Sequence, residues 1–219
     1  MQNAFLSSPF AILWHKYLLL FRLPYSGSFF ITFFRRRDMK AKNYFSTKRL
    51  CFLATFTALV AVATMVVQIP SPGGQGYINV GDSLIFVCAV FFDPIFAFIA
   101  GGLGSALADV FAGWVSYAPF TFVIKGCEGI VACVVLRLLK KLRVKTFACY
   151  ALAMFLGGLC MAVGYFFADL FVYGIGMGVA NLPFNFVQAG ANLVLGFALA
   201  AVLGRVKGVK KVLSLENED

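Results

Sequence analysis

The stretch SLIFVCAVFFDPIFAFIAGGLGSALADVFAG, residues 83–113, decides the fold, because the number of times it crosses a membrane sets the topology of the chain. It is apolar on both sides of a central FFDP, and Pro94 in that motif is typical of the first turn of a helix. We therefore predict two short helices joined by a turn. Each is shorter than the roughly 20 residues of a usual span, so a re-entrant hairpin is the alternative.

The composition is that of an integral membrane protein. The chain has 219 residues, of which 61% are hydrophobic and 13% are charged. Soluble domains average about 45–50% apolar and about 25% charged residues. Several apolar runs approach or exceed the roughly 18 residues that indicate a transmembrane helix.

The net charge of +10 is concentrated in blocks between the apolar runs. Loops 70–82, 113–117 and 173–182 contain no Lys or Arg. The positive-inside rule then predicts cytoplasmic N- and C-termini and places the three uncharged loops outside, with no nucleic-acid partner. The basic residues are Arg35, Arg36, Arg37, Lys40, Lys42, Lys48 and Arg49, then Arg137, Lys140, Lys141, Arg143 and Lys145, then Arg205, Lys207, Lys210 and Lys211.

Because both ends and the middle basic turn lie on one side, residues 83–113 must cross twice or not at all. Two crossings give an all-α integral membrane protein with six transmembrane helices. The predicted helices are 48–69, two within 83–113, 118–139, 146–173 and 183–204.

The domain organisation follows from these helices. We predict a six-helix membrane domain over 39–210 and a cytoplasmic tail over 211–219. MKAKNYFSTKRL from Met39 is typical of a protein start, so residues 1–38 are predicted to be an upstream extension. A disordered or interfacial amphipathic segment is the alternative.

Polar residues within the predicted helices are concentrated in their outer halves. Charges in the hydrocarbon region usually face a bundle interior or a cavity. The inner halves, such as LGFALAAVLG, are almost free of polar groups. The pattern predicts a binding cup open to the outside rather than a pore. The outer polar residues are Asp82, Asp109, Asp169, Lys125, Glu128, Asn185, Gln188 and Asn192.

Several of these residues have a purely structural interpretation as well. Lys125 and Glu128, at i and i+3, either form a buried ion pair or contact a ligand. Asn185, Gln188 and Asn192 either bind a ligand or form a hydrogen-bond ladder between helices. Asp109 is either a ligand contact or a packing partner of Lys125. The nearby aromatic residues either stack on a flat ligand or anchor the chain at the interface; these are Tyr117, Tyr165, Tyr173 and Trp114.

The sequence has little that would support catalysis. It lacks the Gly-x-Ser-x-Gly, His-Glu-x-x-His and Walker A motifs. The six Cys form no Cys-x-x-Cys motif and His15 is the only histidine. We expect no enzyme activity, no metal site and no cofactor, although a small membrane enzyme using Glu128 or Asp169 as acid and base remains an alternative class.

Four segments together resemble the substrate-binding S components of energy-coupling factor (ECF) transporters. They are YINVGD (77–82), GGLGSALAD (101–109), YAPFTFVIKGCEG (117–129) and the pair Ala54-x-x-x-Ala58. The resemblance covers about Lys48 to Arg205 and does not account for residues 1–38.

The resemblance implies a multi-pass protein of a prokaryotic cell membrane that captures a vitamin or its precursor from outside. It implies that Ala54 and Ala58 dock onto a transmembrane coupling subunit, which is bound to two cytoplasmic ATPases. The chain has no ATP-binding motif of its own, as the resemblance requires. A self-sufficient secondary carrier or channel is the alternative, and it would need a polar path through the inner half.

IPSPGGQGYINVGDS, residues 69–83, is then expected to be an extracellular lid. Its glycines let backbone approach a ligand, and Asn79 and Asp82 provide hydrogen-bonding groups. The alternative is a tight connector in which Asp82 only caps the next helix. A pyridoxine-like or hydroxymethylpyrimidine-like ligand is favoured, with riboflavin and pantothenate open.

Overall fold

The computed structural model describes residues 46–71 and 76–206. The predictions for residues 1–38, 39–45 and 211–219 lie outside these ranges. Within them the chain forms six α-helices and one two-stranded ribbon. In chain order these are α1 Thr47–Val66, β1 Ile69–Pro70, β2 Tyr77–Ile78, α2 Gly81–Phe91, α3 Pro94–Phe111, α4 Ala118–Lys141, α5 Thr146–Tyr173 and α6 Ile175–Leu203.

The predicted division of residues 83–113 into two helices is confirmed, with the turn at FFDP. The Asp93 carboxylate accepts hydrogen bonds from the backbone N–H groups of Ile95 and Phe96, at 2.9 and 3.0 Å. Pro94 takes the first position of α3, where its missing N–H has no helical partner to lose. Asp93 and Pro94 therefore end α2 and start α3 within a few residues.

Four of the described helices, α1, α3, α5 and α6, are long and apolar enough to cross a membrane. Helix α2 is apolar but has only 11 residues, about 16 Å at about 1.5 Å per residue, against a hydrocarbon core of about 30 Å. The prediction of an all-α protein holds for the described residues apart from the short ribbon. Its four long apolar helices indicate a multi-pass membrane protein.

The prediction that residues 173–182 form a connector is wrong. Only Gly174, with φ of 89°, separates α5 from α6, and α6 begins at Ile175 rather than at 183. Pro183 lies inside the helix, because a proline removes only one backbone N–H and neighbouring packing can hold the helix together. That packing includes Gly178, where an added Cβ would lie 3.2 Å from the carbonyl oxygen of Phe166 on α5.

The helices alternate in direction between two ends of the bundle. The end that carries the ribbon is called the lid end, and the end that carries Arg49, Asp93 and the turn 142–145 is called the basic end. Ile69 pairs with Ile78 and Pro70 with Tyr77 in antiparallel register. Residues 69–71 and 76–79 are together called the lid.

The half of the bundle near the basic end is filled by apolar side chains. Phe92 and Phe96 stack with ring centroids 4.0 Å apart, and Phe56 meets both edge-on. An ion pair between Arg49 and Asp93 joins the start of α1 to the start of α3. Among the described residues, the polar side chains of the interior are concentrated instead toward the lid end.

Helices α1 and α3 pack closely at Gly104, which gives a first testable prediction. A Cβ at Gly104 would lie 2.6 Å from the backbone oxygen of Thr57, which cannot rotate away. We expect Gly104→Ala to lower the free energy of unfolding by about 1–3 kcal/mol. Gly190→Ala on α6 is the matched control, because an added Cβ there meets nothing within 4 Å. Thermal unfolding in detergent measures both, and an unchanged Tm for Gly104→Ala would contradict the packing.

Candidate functional site

A cavity at the lid end is bounded by the lid and by α1, α3, α4, α5 and α6. Its volume is about 60 Å³, counted as the space that the centre of a water molecule can reach. One water needs roughly 10–15 Å³ by the same measure, so the cavity can hold several. Its lining is mostly polar or aromatic. The lining residues are Thr64, Ser71, Gly76, Tyr77, Ile78, Asn79, Ser105, Asp109, Trp114, Tyr117, Thr121, Lys125, Tyr165, Asp169, Asn181, Phe184, Asn185 and Gln188.

A fully buried charge cluster forms one wall of the cavity. The ammonium of Lys125 contacts Asp82, and it lies 3.4 Å from Oε2 of Glu128. Nε2 of Gln188 donates to the other oxygen of Asp82 at 2.8 Å. The predicted Lys125–Glu128 pair is confirmed, and Asp82 from α2 joins it. The interpretation of Asp82 as an N-cap is wrong, since Val80 takes that position and Asp82 lies in the first turn.

Two amide side chains of α6 bind the backbone at the point where the lid joins α2. Oε1 of Gln188 accepts from the backbone N–H of Asn79 at 3.2 Å. Nδ2 of Asn192 donates to the backbone oxygen of Asn79 at 2.8 Å, and its Oδ1 accepts from the N–H of Ser83 at 3.0 Å. The Asn79 side chain accepts from the N–H of Gly81 at 3.0 Å. The α6 amides therefore tie the lid to the bundle rather than forming only a ladder between helices.

The outer part of the lid makes two further contacts. Ser71 Oγ donates to Oδ1 of Asn181 on α6 at 2.6 Å. The Tyr77 hydroxyl donates to Oδ1 of Asp109 on α3 at 2.5 Å. Burial, and then the nearby Asp109 carboxylate, raise the pKa of the Tyr77 phenol well above its usual value, so it stays a donor. Asp109 thus contacts the lid, whereas the salt bridges of Lys125 are with Asp82 and Glu128.

These two contacts give a second prediction. We expect Tyr77→Phe, and separately Ser71→Ala, to raise amide hydrogen exchange at residues 76–79 by about tenfold, because each removes one hydrogen bond that holds the lid closed. Mass-spectrometric hydrogen exchange measures it. Tyr150→Phe is the control, since Tyr150 lies at the basic end beneath Lys140. Equal protection from exchange in all variants would show that the contacts of Gln188 and Asn192 hold the lid without Tyr77 and Ser71.

The far side of the cavity is aromatic. The Tyr117 hydroxyl donates to Asp169, which also accepts from Nδ2 of Asn181 at 3.0 Å. The Tyr165 hydroxyl donates to Thr121 Oγ1 at 3.2 Å, and the Lys125 ammonium lies 5.4 Å from the centroid of the Tyr165 ring. Both phenols therefore have polar partners, and both residues line the cavity. The Tyr117 ring also stacks on Tyr173, with ring centroids 5.9 Å apart, and Tyr173 itself does not line the cavity.

Some polar atoms of the lining have no hydrogen-bond partner among the described residues. They are Oγ1 of Thr64, Oγ of Ser105 and Nδ2 of Asn185. Buried polar atoms without partners are uncommon in folded proteins and cost free energy. Their convergence on one cavity is what a site for a polar small molecule requires.

Comparisons with known proteins show which family the chain is similar to. The profile of the family described as ECF-type riboflavin transporter, S component, matches residues 44–205. The thiamine precursor transporter HmpT of Lactococcus lactis subsp. cremoris is 33% identical over 166 residues, which is 75% of this chain and 90% of that protein. An uncharacterised protein of Pyrococcus woesei is 40% identical over 144 residues, which is 66% of this chain and 93% of that protein.

The chain belongs to the ECF S-component family. This family supplies components of transporters and is not a family of enzymes. S components work together with an ECF module. The resemblance predicted from the four sequence segments is therefore confirmed.

The cavity of this S component brings together most of the residues singled out from sequence. Three others, Asp82, Glu128 and Asn192, are buried and contact lining residues. Ala54 and Ala58 lie elsewhere, on an exposed face of α1. The predicted residues that line the cavity are Asn79, Asp109, Trp114, Tyr117, Lys125, Tyr165, Asp169, Asn185 and Gln188.

Sequence reasoning missed Asn181, Ser71, Thr121 and Tyr77 of this S component as site residues. Asn181 lies in the predicted 173–182 loop, because Pro183 is typical of a helix start. Tyr77 lies two residues before the predicted Asn79, and the alternation of a strand could have signalled that both belong to one buried face. Ser71 and Thr121 carry no sequence signal of their own.

Proposed function

We propose that this S component captures a vitamin or vitamin precursor from outside the cell and delivers it to an ATP-driven ECF module. The observation that carries the proposal is the cavity, which holds unpartnered polar atoms at the lid end while the basic end is closed by apolar packing. Such a cavity binds from one side only. Release on the other side then needs a partner that changes the position or shape of the chain.

The charge distribution supports an outward-facing lid end. The described loops there, 112–117 and the lid, contain no Lys or Arg, whereas Arg137, Lys140, Lys141 and Arg143 are at the basic end. Under the positive-inside rule the basic end faces the cytoplasm of a prokaryotic cell. A transmembrane coupling subunit and two ATPases would then act from that side, with Ala54 and Ala58 on α1 as the docking face.

The size of the cavity favours a ligand with a single ring. The cavity volume of about 60 Å³ suits a small polar heterocycle, such as a pyridoxine-like or hydroxymethylpyrimidine-like compound. The relative named as a thiamine precursor transporter supports the same choice. A three-ring compound such as riboflavin would require the lid to move outward.

The proposed ligand contacts follow from the geometry. Asn185 offers an unpartnered donor, Lys125 a cation, and Tyr117 and Tyr165 their ring faces. Asn79 and Gln188 join the lid to the bundle, so they couple ligand capture to lid closure. Asp169 lines the cavity beside Tyr117. The other members of the proposed site do not line the cavity and instead hold the lining groups in place; they are Asp82, Glu128 and Asn192.

Equilibrium binding to the protein purified alone in detergent tests this proposal. We expect one compound in a panel of B-vitamins and precursors to bind tightly and saturably by calorimetry. Asn185→Leu should weaken that binding, because it removes an unpartnered donor from the cavity wall. Asn43→Leu, outside the predicted helices, is the matched control. If no compound of the panel binds, capture of a vitamin-type ligand is wrong.

A further inference from the structure

The charge balance of the cavity suggests what kind of ligand it takes. Two carboxylates, Asp109 and Asp169, line the cavity. Asp109 accepts from the Tyr77 phenol, and Asp169 accepts from the Tyr117 phenol and the Asn181 amide. The wall thus carries two acidic side chains, each of which already accepts a hydrogen bond from a phenol.

No cation among the described residues forms a salt bridge with either of these two carboxyl groups. Lys125 is the one Lys or Arg that lines the cavity within the described residues, and its salt bridges are with Asp82 and Glu128. The remaining salt bridge of the described residues, Arg49–Asp93, is at the basic end. Four carboxyl groups therefore lie in or next to the cavity wall, those of Asp82, Asp109, Glu128 and Asp169, against the single ammonium of Lys125 among the described residues.

The other walls of the cavity also favour a positive charge. Aromatic faces attract cations through their ring quadrupole, most strongly when water is excluded. Such rings, together with carboxylates, form a common recognition site for cationic ligands. The unpartnered hydroxyl of Ser105, a buried residue, can bond to an uncharged polar group of the same ligand. The lining aromatic residues are Tyr77, Trp114, Tyr117, Tyr165 and Phe184.

We propose that the cavity selects a small heteroaromatic ring that carries a positive charge, or that takes up a proton on binding, and that Asp109 and Asp169 are its specificity-determining residues. The inference rests on the proposed function, because it assigns a chemical class to the captured ligand. It argues against anionic compounds such as pantothenate, whose carboxylate would lie beside two acidic side chains.

Titrations with ligands that differ in charge test the proposal. The first set contains thiamine (a cation), the hydroxymethylpyrimidine precursor of thiamine (a base), riboflavin (neutral) and pantothenate (an anion). The second set shares one pyridine ring and differs mainly in charge: 1-methylnicotinamide (a pyridinium cation), nicotinamide (neutral) and nicotinate (an anion). We expect the cation or base to bind best in the first set, and affinity to fall from cation to neutral to anion in the second.

Variants identify the residues responsible. Asp109→Asn and Asp169→Asn keep the shape and can still accept the phenol hydrogen bonds. Each is expected to weaken binding of the cation or base by about tenfold to a hundredfold and to weaken binding of a neutral ligand less. Asp93→Asn at the basic end is the matched control, and it should leave affinity unchanged.

The outcomes separate this inference from the proposed function. If the anion or the neutral compound binds best, or if neither cavity variant alters affinity for the cation, the charge selection is wrong and ligand capture still stands. If no compound in either set binds, capture of a vitamin-type ligand fails, and the charge selection fails with it.

Discussion

Replacing Lys125 by methionine is expected to lower the free energy of unfolding by about 3–5 kcal/mol and to abolish ligand binding. Lys125 is the cation that contacts both Asp82 and Glu128, and all three side chains are fully buried. Removing it leaves two carboxylates in the bundle without a positive partner. Methionine has a similar length, so the effect reports the charge rather than a cavity.

Two further variants separate stability from binding. Lys125→Met combined with Asp82→Asn and Glu128→Gln removes the whole charge cluster, and we expect it to recover much of the stability without recovering binding. Lys141→Met, at the exposed end of α4, is the matched control for the substitution itself. Chemical or thermal unfolding and calorimetry measure the two properties. A Lys125→Met protein as stable as the parent would contradict the buried cluster.

Blocking the exposed alanine face of α1 is expected to abolish energised uptake while leaving ligand binding intact. Ala54 and Ala58 lie one helical turn apart on this face and are both exposed. Small residues let two helices approach closely, so Ala54→Phe with Ala58→Phe would separate α1 from a docked coupling subunit. The two alanines do not line the cavity, so affinity for the ligand should stay the same.

The measurement is ATP-dependent uptake into proteoliposomes that contain the ECF module, together with calorimetry on the variant alone. We expect uptake to fall at least about tenfold, as for a docking interface that loses about 1.4 kcal/mol. Ala198→Phe, on an exposed face of α6, is the matched control. If Ala198→Phe reduces uptake as strongly as the α1 variant, docking is not specific to α1.

Sequence alone predicted those parts of the fold that depend on local pattern. The turn at Asp93 and Pro94 and the bounds of α5 follow from apolar runs and helix signals, and both are found. The start of α6 was missed, because Pro183 is a usual helix start and its tolerance inside a packed helix depends on α5. Tertiary packing, which no local pattern contains, decided that boundary.

In the site, too, local spacing was informative and contacts between helices were not predictable. Lys125 and Glu128 were paired correctly, since three residues along a helix bring two side chains together. Their partner Asp82 comes from another helix, α2, which residue spacing along α4 cannot reveal. Asn181 could not be found, because its helix was not predicted. Residues from one helix were therefore predicted well, and contacts between helices were not.

Transport by this chain with and without its proposed partners tests the account most directly. Proteoliposomes would contain either the chain alone or the chain with the ECF module, and the tightest-binding compound of the panel would be supplied outside in radiolabelled form. We expect binding but no accumulation for the chain alone, and accumulation only when the module and ATP are both present. Uptake by the chain alone, without ATP, would contradict it and would favour a self-sufficient carrier or channel.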